Sequence, residues 1–353
     1  MTTLIGLQLV FWACVVVLAY IYAGYPILVW VRSRGKRSDV ASSAAEHPKH
    51  EVSIVIVAHN EARTLPRKIQ SLLASDGAEQ IREILIGSDG STDDTANVLA
   101  ELGDPRIKLF AFRDRRGKPS VLIDLVPQCQ SQIVLLADAR QIFDPKCIRN
   151  LLAHFDDPTV GVVSGELVLR SDASQSTAAA GIGFYWRYEK FIRRSESRGR
   201  GVPGATGACY AIRKELFRPI PPATILDDVA IPMQAIAKGY RCLFEPTALV
   251  FDEPSKSTRQ ESIRKRRTIA GVAQLVRLFP EWTLPWRNPL WFEYVSHKLL
   301  RLISPLLMVL ALVANVCLLD LDAYRVLLIV QGAFYRSEEH TSELQSRVDI
   351  SYA

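Results

Sequence analysis

Hydrophobic and polar positions in the middle of the chain follow a repeating order of strand, turn and helix. Short apolar runs rich in β-branched residues end in polar turns, and amphipathic stretches follow, near residues 65–75 and again up to about Leu102. Apolar runs of this kind are typical of strands buried on both faces of a parallel sheet. The predicted strands are residues 52–57, 83–87, 107–110, 133–137 and 160–164. This alternation predicts an α/β fold with a doubly wound, mostly parallel sheet.

Polar side chains stand where three of these strands end. Asn60 and Glu61 follow the first strand, Asp89 ends the second, and Asp138 ends the strand at 133–137. Because ligands of open α/β sheets bind at the carboxyl ends of the strands, these residues are candidates for one binding crevice. Each acid alone could equally start a turn or cap a helix.

The N-terminal segment is uniformly apolar. Residues 4–31 carry no charge and are long enough, as a helix, to span the roughly 30 Å core of a bilayer. Arg32 and Arg34 follow at once, so the positive-inside rule places the next part of the chain in the cytoplasm. A signal peptide is the alternative, but it would have a basic start and a shorter apolar core. We predict a membrane anchor at residues 1–33 and a Ser/Ala-rich linker at 34–50.

The character of the sequence changes again after the predicted domain at residues 51–274. Residues 275–294 are rich in Trp and other aromatic residues, which suits either a membrane interface or an ordinary packed helical segment. Residues 302–319 form a second uncharged run, and residues 323–335 begin a third that could instead be re-entrant. We therefore predict transmembrane helices within residues 295–335.

The final segment differs in composition from everything before it. Residues 336–353 read RSEEHTSELQSRVDISYA, which resembles the in-frame translation of a sequencing-library adapter. A native polar tail is the alternative. We treat the segment as an artefact and expect the native protein to continue beyond Tyr335.

Composition narrows the function only slightly. The chain has 353 residues, of which 48% are hydrophobic and 23% charged, with a net charge of +6. A basic excess suits nucleic acids, anionic membranes or phosphorylated substrates. The six cysteines form no CxxC pair, so we expect reduced core residues in a cytosolic setting and neither a disulfide framework nor a zinc site.

Several motifs in one order carry a family resemblance. They are A-H-N-E at 58–61, S-D-G-S-T-D at 88–93, the strand end at 135–139, I-L-D-D at 225–228 and S-H-K-L-L-R at 296–301. Together they resemble the inverting family 2 glycosyltransferases, and within these the membrane-embedded branch of cellulose, hyaluronan and poly-N-acetylglucosamine synthases. The resemblance covers residues 52–271. It implies a GT-A nucleotide-sugar fold and a metal-assisted single displacement.

By this resemblance, the donor site begins at the first two strand ends. Asn60, Glu61 and Asp89 would hold the uridine, and Lys118 in the R-R-G-K sequence would lie nearby. The arginines around Lys118 could otherwise be a solvated run of charge.

Asp138 would take the first position of the family's DxD metal motif. The second position is Arg140, which cannot bind a cation. Mg²⁺ or Mn²⁺ held by one carboxylate and substrate phosphates is still acceptable coordination. Arg140 would then help to neutralise the phosphates, or it could point to solvent.

The catalytic and acceptor positions also follow from the resemblance. Asp227 and Asp228 match the family's acidic pair, of which the second is the general base, although the pair could also cap a helix. The segment with Thr206 and Gly207 resembles the Gly-rich acceptor site, but an ordinary turn would read alike. Trp186 could stack on a sugar ring or pack in the core.

One motif departs from the family pattern. Processive synthases carry QxxRW before the membrane. In this chain Arg264 stands at the position of the Gln, Arg267 matches the Arg, and Thr268 stands at the position of the Trp. Arg264 and Arg267 could still bind the donor diphosphate. The missing Trp removes the platform for a growing polymer, so we favour transfer of one or a few sugars.

We therefore expect a multi-pass enzyme of the cytoplasmic membrane with its catalytic domain in the cytoplasm. It would transfer a sugar from a UDP-sugar to a lipid-linked or polysaccharide acceptor, with inversion and with a divalent metal, and without a nucleic-acid partner. Two alternatives stay open: a processive β-glycan synthase, and a catalytically silent membrane protein that binds nucleotide sugars.

Overall fold

The computed structural model describes residues 2–35, 50–169, 177–253 and 258–350. The strands are β1 (Val52–Ala58), β2 (Ile81–Asp89), β3 (Ile107–Phe112), β4 (Ile133–Asp138), β5 (Ile142–Phe143), β6 (Val160–Leu169), β7 (Cys209–Arg213) and β8 (Arg241–Asp252). The helices are α1 (Thr2–Ala19), α2 (Tyr25–Ser33), α3 (Leu65–Leu73), α4 (Thr95–Glu101), α5 (Lys118–Leu125), α6 (Cys147–Leu152), α7 (Thr177–Gly199), α8 (Asp227–Ala237), α9 (Thr258–Leu278), α10 (Trp291–Tyr294), α11 (Leu300–Val316) and α12 (Asp322–Ile350). Two π-helical turns, Tyr20–Gly24 and Val295–Leu299, join α1 to α2 and α10 to α11.

All the strands belong to one mixed sheet in the order β3-β2-β1-β4-β7-β6-β8-β5. β1 pairs in parallel with β2 and β4, β2 with β3, and β6 with β8. β7 lies antiparallel between β4 and β6, and the short β5 is antiparallel to β8. The five strands expected from the apolar runs are present, and the mostly parallel sheet is confirmed. The sequence did not indicate β5, β7 and β8.

The central strands form because their side chains are buried on both faces of the sheet. On one face Ile54 and Ile56 pack with Leu135, and on the other Val55 packs with Leu136. Helices α3 and α6 contribute to the first of these layers, and α5 and α8 to the second. This double burial explains the unbroken apolar runs, since no strand position in the centre of the sheet faces water.

β8 pairs with β6 through an irregular register. The pairing moves from Ser164 with Phe244 to Glu166 with Leu249, so one residue of β6 stands opposite four of β8. Pro246 lies within this bulge, where its missing N–H costs no ladder hydrogen bond. A Cβ on Gly165 would lie 2.8 Å from the carbonyl oxygen of Ala248, so only glycine fits here.

Two helical segments, Thr2–Ser33 and Trp291–Val316, are long and apolar enough to cross a membrane by length and composition. They pack on each other, with Phe11 and Cys14 buried against Ala311 and Ala314. Their other faces leave large apolar side chains exposed, as lipid-facing surfaces do. The third span expected from residues 323–335 lies in α12 and stays a prediction, as do the domain boundaries.

The aromatic segment at residues 275–294 divides between core and surface. Trp282 and Tyr294 are buried in the hydrophobic core on one face of the sheet, while Trp286 is 74% exposed. Packing therefore accounts for part of the aromatic content, and the interfacial role stays a prediction. The predicted linker lies largely outside the described residues, as do the side chains beyond Arg336.

The six cysteines are all free thiols, as expected, and five of them are buried. Cys317 is exposed, so the prediction that all six are core residues is wrong at this position. Its place near the end of an apolar helix put it among core-like neighbours in sequence, although its side chain faces outward.

Candidate active site

The expected acids meet at the carboxyl edge of the sheet. Strand β1 lies between β2 and β4, and Val57 pairs with Gly87 on one side and with Asp138 on the other. Asp89 ends β2 just above this level. The parallel pairing thus brings Asp89 and Asp138 to the same edge, as the strand ends indicated.

The Gly-rich segment reaches this edge because β7 runs antiparallel to β4. Cys209, the first residue of β7, pairs with Ala137, so Gly207 lies beside the carboxyl end of β4. The N–H of Gly207 donates to Oδ2 of Asp228 at 3.0 Å. A Cβ on Gly207 would lie 3.3 Å from Oδ2 of Asp228 and 3.7 Å from Oδ2 of Asp138. Both carboxylates therefore face the same small space, and glycine keeps it open.

Lys118 lies among the carboxylates. It is the first residue of α5 and follows Gly117, whose φ of 87° suits glycine. Its Nζ is 2.8 Å from Oδ1 of Asp138 and 3.2 Å from Oδ2 of Asp227. Burial alone would lower the pKa of Lys118, but the attraction of Asp138 and Asp227 raises it above its usual value. The ammonium is therefore charged at every physiological pH.

The cluster carries an excess of negative charge, because the carboxylates of Asp138, Asp227 and Asp228 outnumber the ammonium groups of Lys118 and Lys298 that act on Asp228. Burial, and then repulsion by Asp227, raises the pKa of Asp228 from 3.8 to about 6. A carboxylate with such a pKa is largely ionised at neutral pH, yet it accepts a proton more readily than an ordinary aspartate. Asp228 thus has the chemistry expected of a general base.

Asn60 and Asp89 are engaged by backbone groups. Oδ1 and Oδ2 of Asp89 accept hydrogen bonds from the N–H groups of Arg116 and Gly117, at 2.7 and 2.9 Å. Asn60 has a φ of 56°, and its Oδ1 accepts from the N–H of Thr92 at 2.8 Å. Asp89 thus fixes the loop that presents Lys118, and Asn60 fixes the turn after β2. Their contact with uridine stays a prediction.

Glu61 and Arg140 lie at the opening of the crevice. Nε of Arg140 is 4.0 Å from Oε1 of Glu61, and the Arg140 side chain is 63% exposed. Glu61 also accepts a hydrogen bond from the hydroxyl of Thr64 at 2.6 Å. Arg140 therefore faces solvent in part, as one interpretation expected, while it remains close to the strand end that carries Asp138.

The fit of a divalent cation can be tested on these residues. Among the described residues, no group of three or more His, Cys, Asp or Glu side chains is arranged to hold a metal ion. Oδ1 of Asp138 contacts Lys118, which leaves Oδ2 on the side of Gly207. One carboxylate oxygen and an excess of negative charge fit a Mg²⁺ or Mn²⁺ that is bound mainly by diphosphate oxygens and water.

Other predicted residues are not brought into this cluster. Arg264 and Arg267 lie on α9 with exposed side chains. α9 itself touches the loop before the acidic pair, since a Cβ on Gly271 would lie 2.5 Å from Leu226 and Gln274 accepts from the N–H of Ile225. Trp186 belongs to α7, and its side chain lies outside the described residues.

Two polar residues near the site were not singled out from the sequence. The buried hydroxyl of Ser164 accepts a hydrogen bond from the N–H of Thr206 at 3.0 Å, and Arg193 donates to the same hydroxyl at 2.9 Å. Ser164 lies in an apolar strand, and Arg193 lies in a charged helix. Neither position has a local sequence pattern that distinguishes it.

The comparisons with known proteins concern the fold and the family. Over 95% of the chain, the structure is similar to 96% of the mannosyltransferase PcManGT from Pyrobaculum calidifontis, solved with GDP-Man and Mn²⁺, with a TM-score of 0.72 and 21% identity. This likeness shows a GT-A fold. Residues 53–220 match the family model described as Glycosyl transferase family 2. Residues 53–220 are therefore similar to a family 2 glycosyltransferase domain.

Curated relatives point to one branch of that family. The chain is 25% identical over 203 residues to poly-β-1,6-N-acetyl-D-glucosamine synthase of Staphylococcus aureus (strain COL), covering 56% of this chain and 48% of the relative. The synthase of Staphylococcus epidermidis is also 25% identical, over 211 residues, covering 58% of this chain and 50% of the relative. The chain thus spans about half the length of the curated relatives it matches.

Proposed function

We propose that the chain is a membrane-bound inverting glycosyltransferase that moves a sugar from a UDP-sugar to a lipid-linked or polysaccharide acceptor in the assembly of a cell-surface glycan. The observation that carries this proposal is the meeting of Asp138, Lys118, Asp228 and Gly207 at one edge of the sheet. That arrangement supports the proposal, because a leaving diphosphate needs cations and an acceptor hydroxyl needs a base close by.

In this mechanism the acceptor binds over Gly207 and Thr206. Asp228 takes the proton of the acceptor hydroxyl as the oxygen attacks the anomeric carbon of the donor sugar. The bond between that carbon and the diphosphate oxygen breaks, and UDP leaves on the opposite face. A single displacement of this kind inverts the anomeric centre.

Charge on the leaving diphosphate is balanced by side chains at the strand ends. Lys118 points into the cluster from α5, and Arg140 stands at its opening. Such preorganised cations stabilise the charge that develops in the transition state. A divalent cation held by Asp138 would act as a further Lewis acid on the diphosphate. Asn60, Glu61 and Asp89 would shape the site for the base and ribose.

The membrane part of the proposal is supported by the two apolar helical segments. With the basic residues that follow the first helix, a catalytic domain on the cytoplasmic side is expected. A lipid-linked or growing glycan acceptor would then enter along the membrane surface.

A processive polysaccharide synthase is the second candidate, because the staphylococcal relatives are named as synthases of a polymer. Thr268 replaces the Trp of the processive motif, and this favours transfer of one or a few sugars. The test is a screen of UDP-sugars with the full-length protein in membranes, measuring UDP release and product length. Release with one donor and short products supports the proposal, long polymer supports the second candidate, and no release with any nucleotide sugar contradicts both.

A further inference from the structure

The backbone around Gly207, which we call the acceptor loop (residues 205–207), is held at three successive N–H groups. Ala205 donates to the carbonyl oxygen of Asp228 at 2.8 Å, and Gly207 donates to its Oδ2 at 3.0 Å. Between them, Thr206 donates to the hydroxyl of Ser164 at 3.0 Å. Two of the three bonds thus reach Asp228, and the third depends on Ser164.

Ser164 is fully buried, and its hydroxyl is fully used. It donates to the carbonyl oxygen of Gly165 at 3.1 Å and accepts from Thr206 and from Nη2 of Arg193. A serine hydroxyl has one donor and two acceptor sites. The orientation of the hydroxyl toward the acceptor loop is therefore fixed by Arg193 on the other side.

Arg193 is positioned for this contact. Its guanidinium lies 4.2 Å from the ring centroid of Phe244 and, within the described part of the chain, forms no ion pair. The nearby carboxylate of Glu166 contacts its neighbours Lys190 and Arg194 instead. Because burying an arginine without a carboxylate partner is costly, such a placement requires a specific contact that compensates for it.

The helix that carries Arg193 is also tied to both apolar helical segments. Glu189 and Glu196, on either side of Arg193 in α7, each have a carboxylate oxygen 2.7 Å from a ring nitrogen of His297. Arg301 contacts Glu189 at 2.8 Å, and the hydroxyl of Tyr25 donates to Glu196. We call these five residues the α7 clamp. It fixes α7 between the membrane helices and the acceptor loop.

We propose that Arg193 is a positioning residue that acts through Ser164 to hold the acceptor loop in register with Asp228. This inference rests on the proposed function. It makes the geometry of the acceptor site depend on α7, and therefore on the packing of the membrane helices against the catalytic domain. Arg193 does not touch the reacting atoms in this scheme.

The proposal has a kinetic consequence that a purely structural role lacks. A hydrogen bond from Gly207 to the charged carboxylate of Asp228 favours ionisation of that carboxylate. If the acceptor loop shifts, the acidic limb of the rate profile moves upward by about 0.5–1 pH unit, since the weakened bond involves a charged group. The KM for acceptor rises about tenfold, because a hydrogen-bonded surface is misplaced, while the KM for the nucleotide sugar changes little.

The experiment compares Arg193→Gln and Ser164→Ala with the matched control Arg194→Gln, in the full chain in membranes. Arg194 is the next residue of the same helix, is half exposed and loses the same charge. The two test variants should show the pH shift and the higher acceptor KM, and the double variant should add nothing to the stronger single effect. The control should match the wild type in both measurements.

Two results would overturn the inference. One is a lower melting temperature for the test variants while the acidic limb of the pH–rate profile and the KM for acceptor are unchanged. That result would show that Arg193 and Ser164 contribute only to packing. The other is an equal effect in the control. Ser164→Ala removes a single oxygen atom, so it serves even if Arg193→Gln does not fold. If the wild type transfers no sugar, the proposed function is wrong, and this measurement on the wild type alone separates that outcome from a failure of the inference on Arg193.

Discussion

Replacing the proposed base should abolish activity and stabilise the protein. Asp228→Asn removes the charge but keeps a carbonyl oxygen that can accept the hydrogen bond from Gly207. It also relieves the repulsion that Asp227 exerts on the ionised Asp228. The folded state pays for that charge at neutral pH, and the variant does not.

The magnitude follows from the pKa. Burial and Asp227 raise the pKa of Asp228 from 3.8 to about 6, and each pH unit corresponds to about 1.4 kcal/mol. The ionised carboxylate thus costs the folded state about 3 kcal/mol at pH 8 as an upper value. Because the folded pKa is raised, the wild type loses stability as the pH rises from about 4 to about 6 and stays at that lower level above it. The advantage of Asp228→Asn should therefore be full above pH 7 and shrink between pH 6 and pH 4.

Thermal unfolding in detergent measures this difference. At about 2–4 °C per kcal/mol for a domain of this size, the variant should melt up to about 6–12 °C higher at pH 8 and close to the wild type at pH 4. Sugar transfer should fall by at least about a thousandfold, as expected for loss of a general base with its positioning. Asp157→Asn is a control of opposite sign, because hydrogen bonds from Thr159 hold the pKa of Asp157 below its usual range. Equal or lower stability of Asp228→Asn at pH 8, or retained transfer, would refute the reasoning.

Three further predictions concern the donor site and the α7 clamp. Lys118→Met should weaken UDP binding about tenfold, because the ammonium 2.8 Å from Asp138 is lost. Calorimetric titration with UDP measures this affinity, and an unchanged affinity would show that Lys118 does not belong to the donor site. Chelation by EDTA should abolish transfer, and Arg140→Asp should lower the Mn²⁺ concentration for half-maximal activity about tenfold by adding a second carboxylate; full activity in EDTA would exclude the metal. His297→Gln should lower the melting temperature by several degrees, since the buried Glu196 and the half-buried Glu189 lose a shared partner, whereas the exposed Arg325→Gln should not. Equal melting of the two variants would contradict the clamp.

The local pattern of the sequence was sufficient to predict the parallel strands β3, β2, β1 and β4 at one side of the sheet. Strands β1, β2 and β4 are buried on both faces, so their apolar runs and the polar residues after them were readable without tertiary information. Parallel pairing then follows from the helices between them, and with it the meeting of Asp89 and Asp138. The resemblance to known glycosyltransferases supplied the roles that spacing alone left open.

The other half of the site depends on contacts between distant parts of the chain. The short β7 is antiparallel, and nothing in its five residues fixes the direction in which it pairs. Without that direction, the sequence could not place Gly207 beside Asp138. Likewise, Lys118 could be read as part of a solvated run of charge, and only the fold shows its Nζ between Asp138 and Asp227.

The α7 clamp was also beyond local reasoning. His297 reaches Glu189 and Glu196 from more than a hundred residues away, and a histidine near an apolar run has no sequence feature that names its partners. Asp89 shows the reverse case. The sequence placed it correctly at the strand end, but its two hydrogen bonds to the loop before Lys118 could be found only from the fold.

The most direct test of the central claim is a cryo-electron microscopy map of the full chain in lipid nanodiscs with UDP and Mn²⁺. The account predicts diphosphate density at the carboxyl edge of the sheet, within contact distance of Lys118 and Asp138 and below Arg140, with the space over Gly207 left open for the acceptor. Nucleotide density elsewhere, for instance in the cavity of about 260 Å³ lined by His154, Arg194 and Phe244, with an empty carboxyl edge would contradict it.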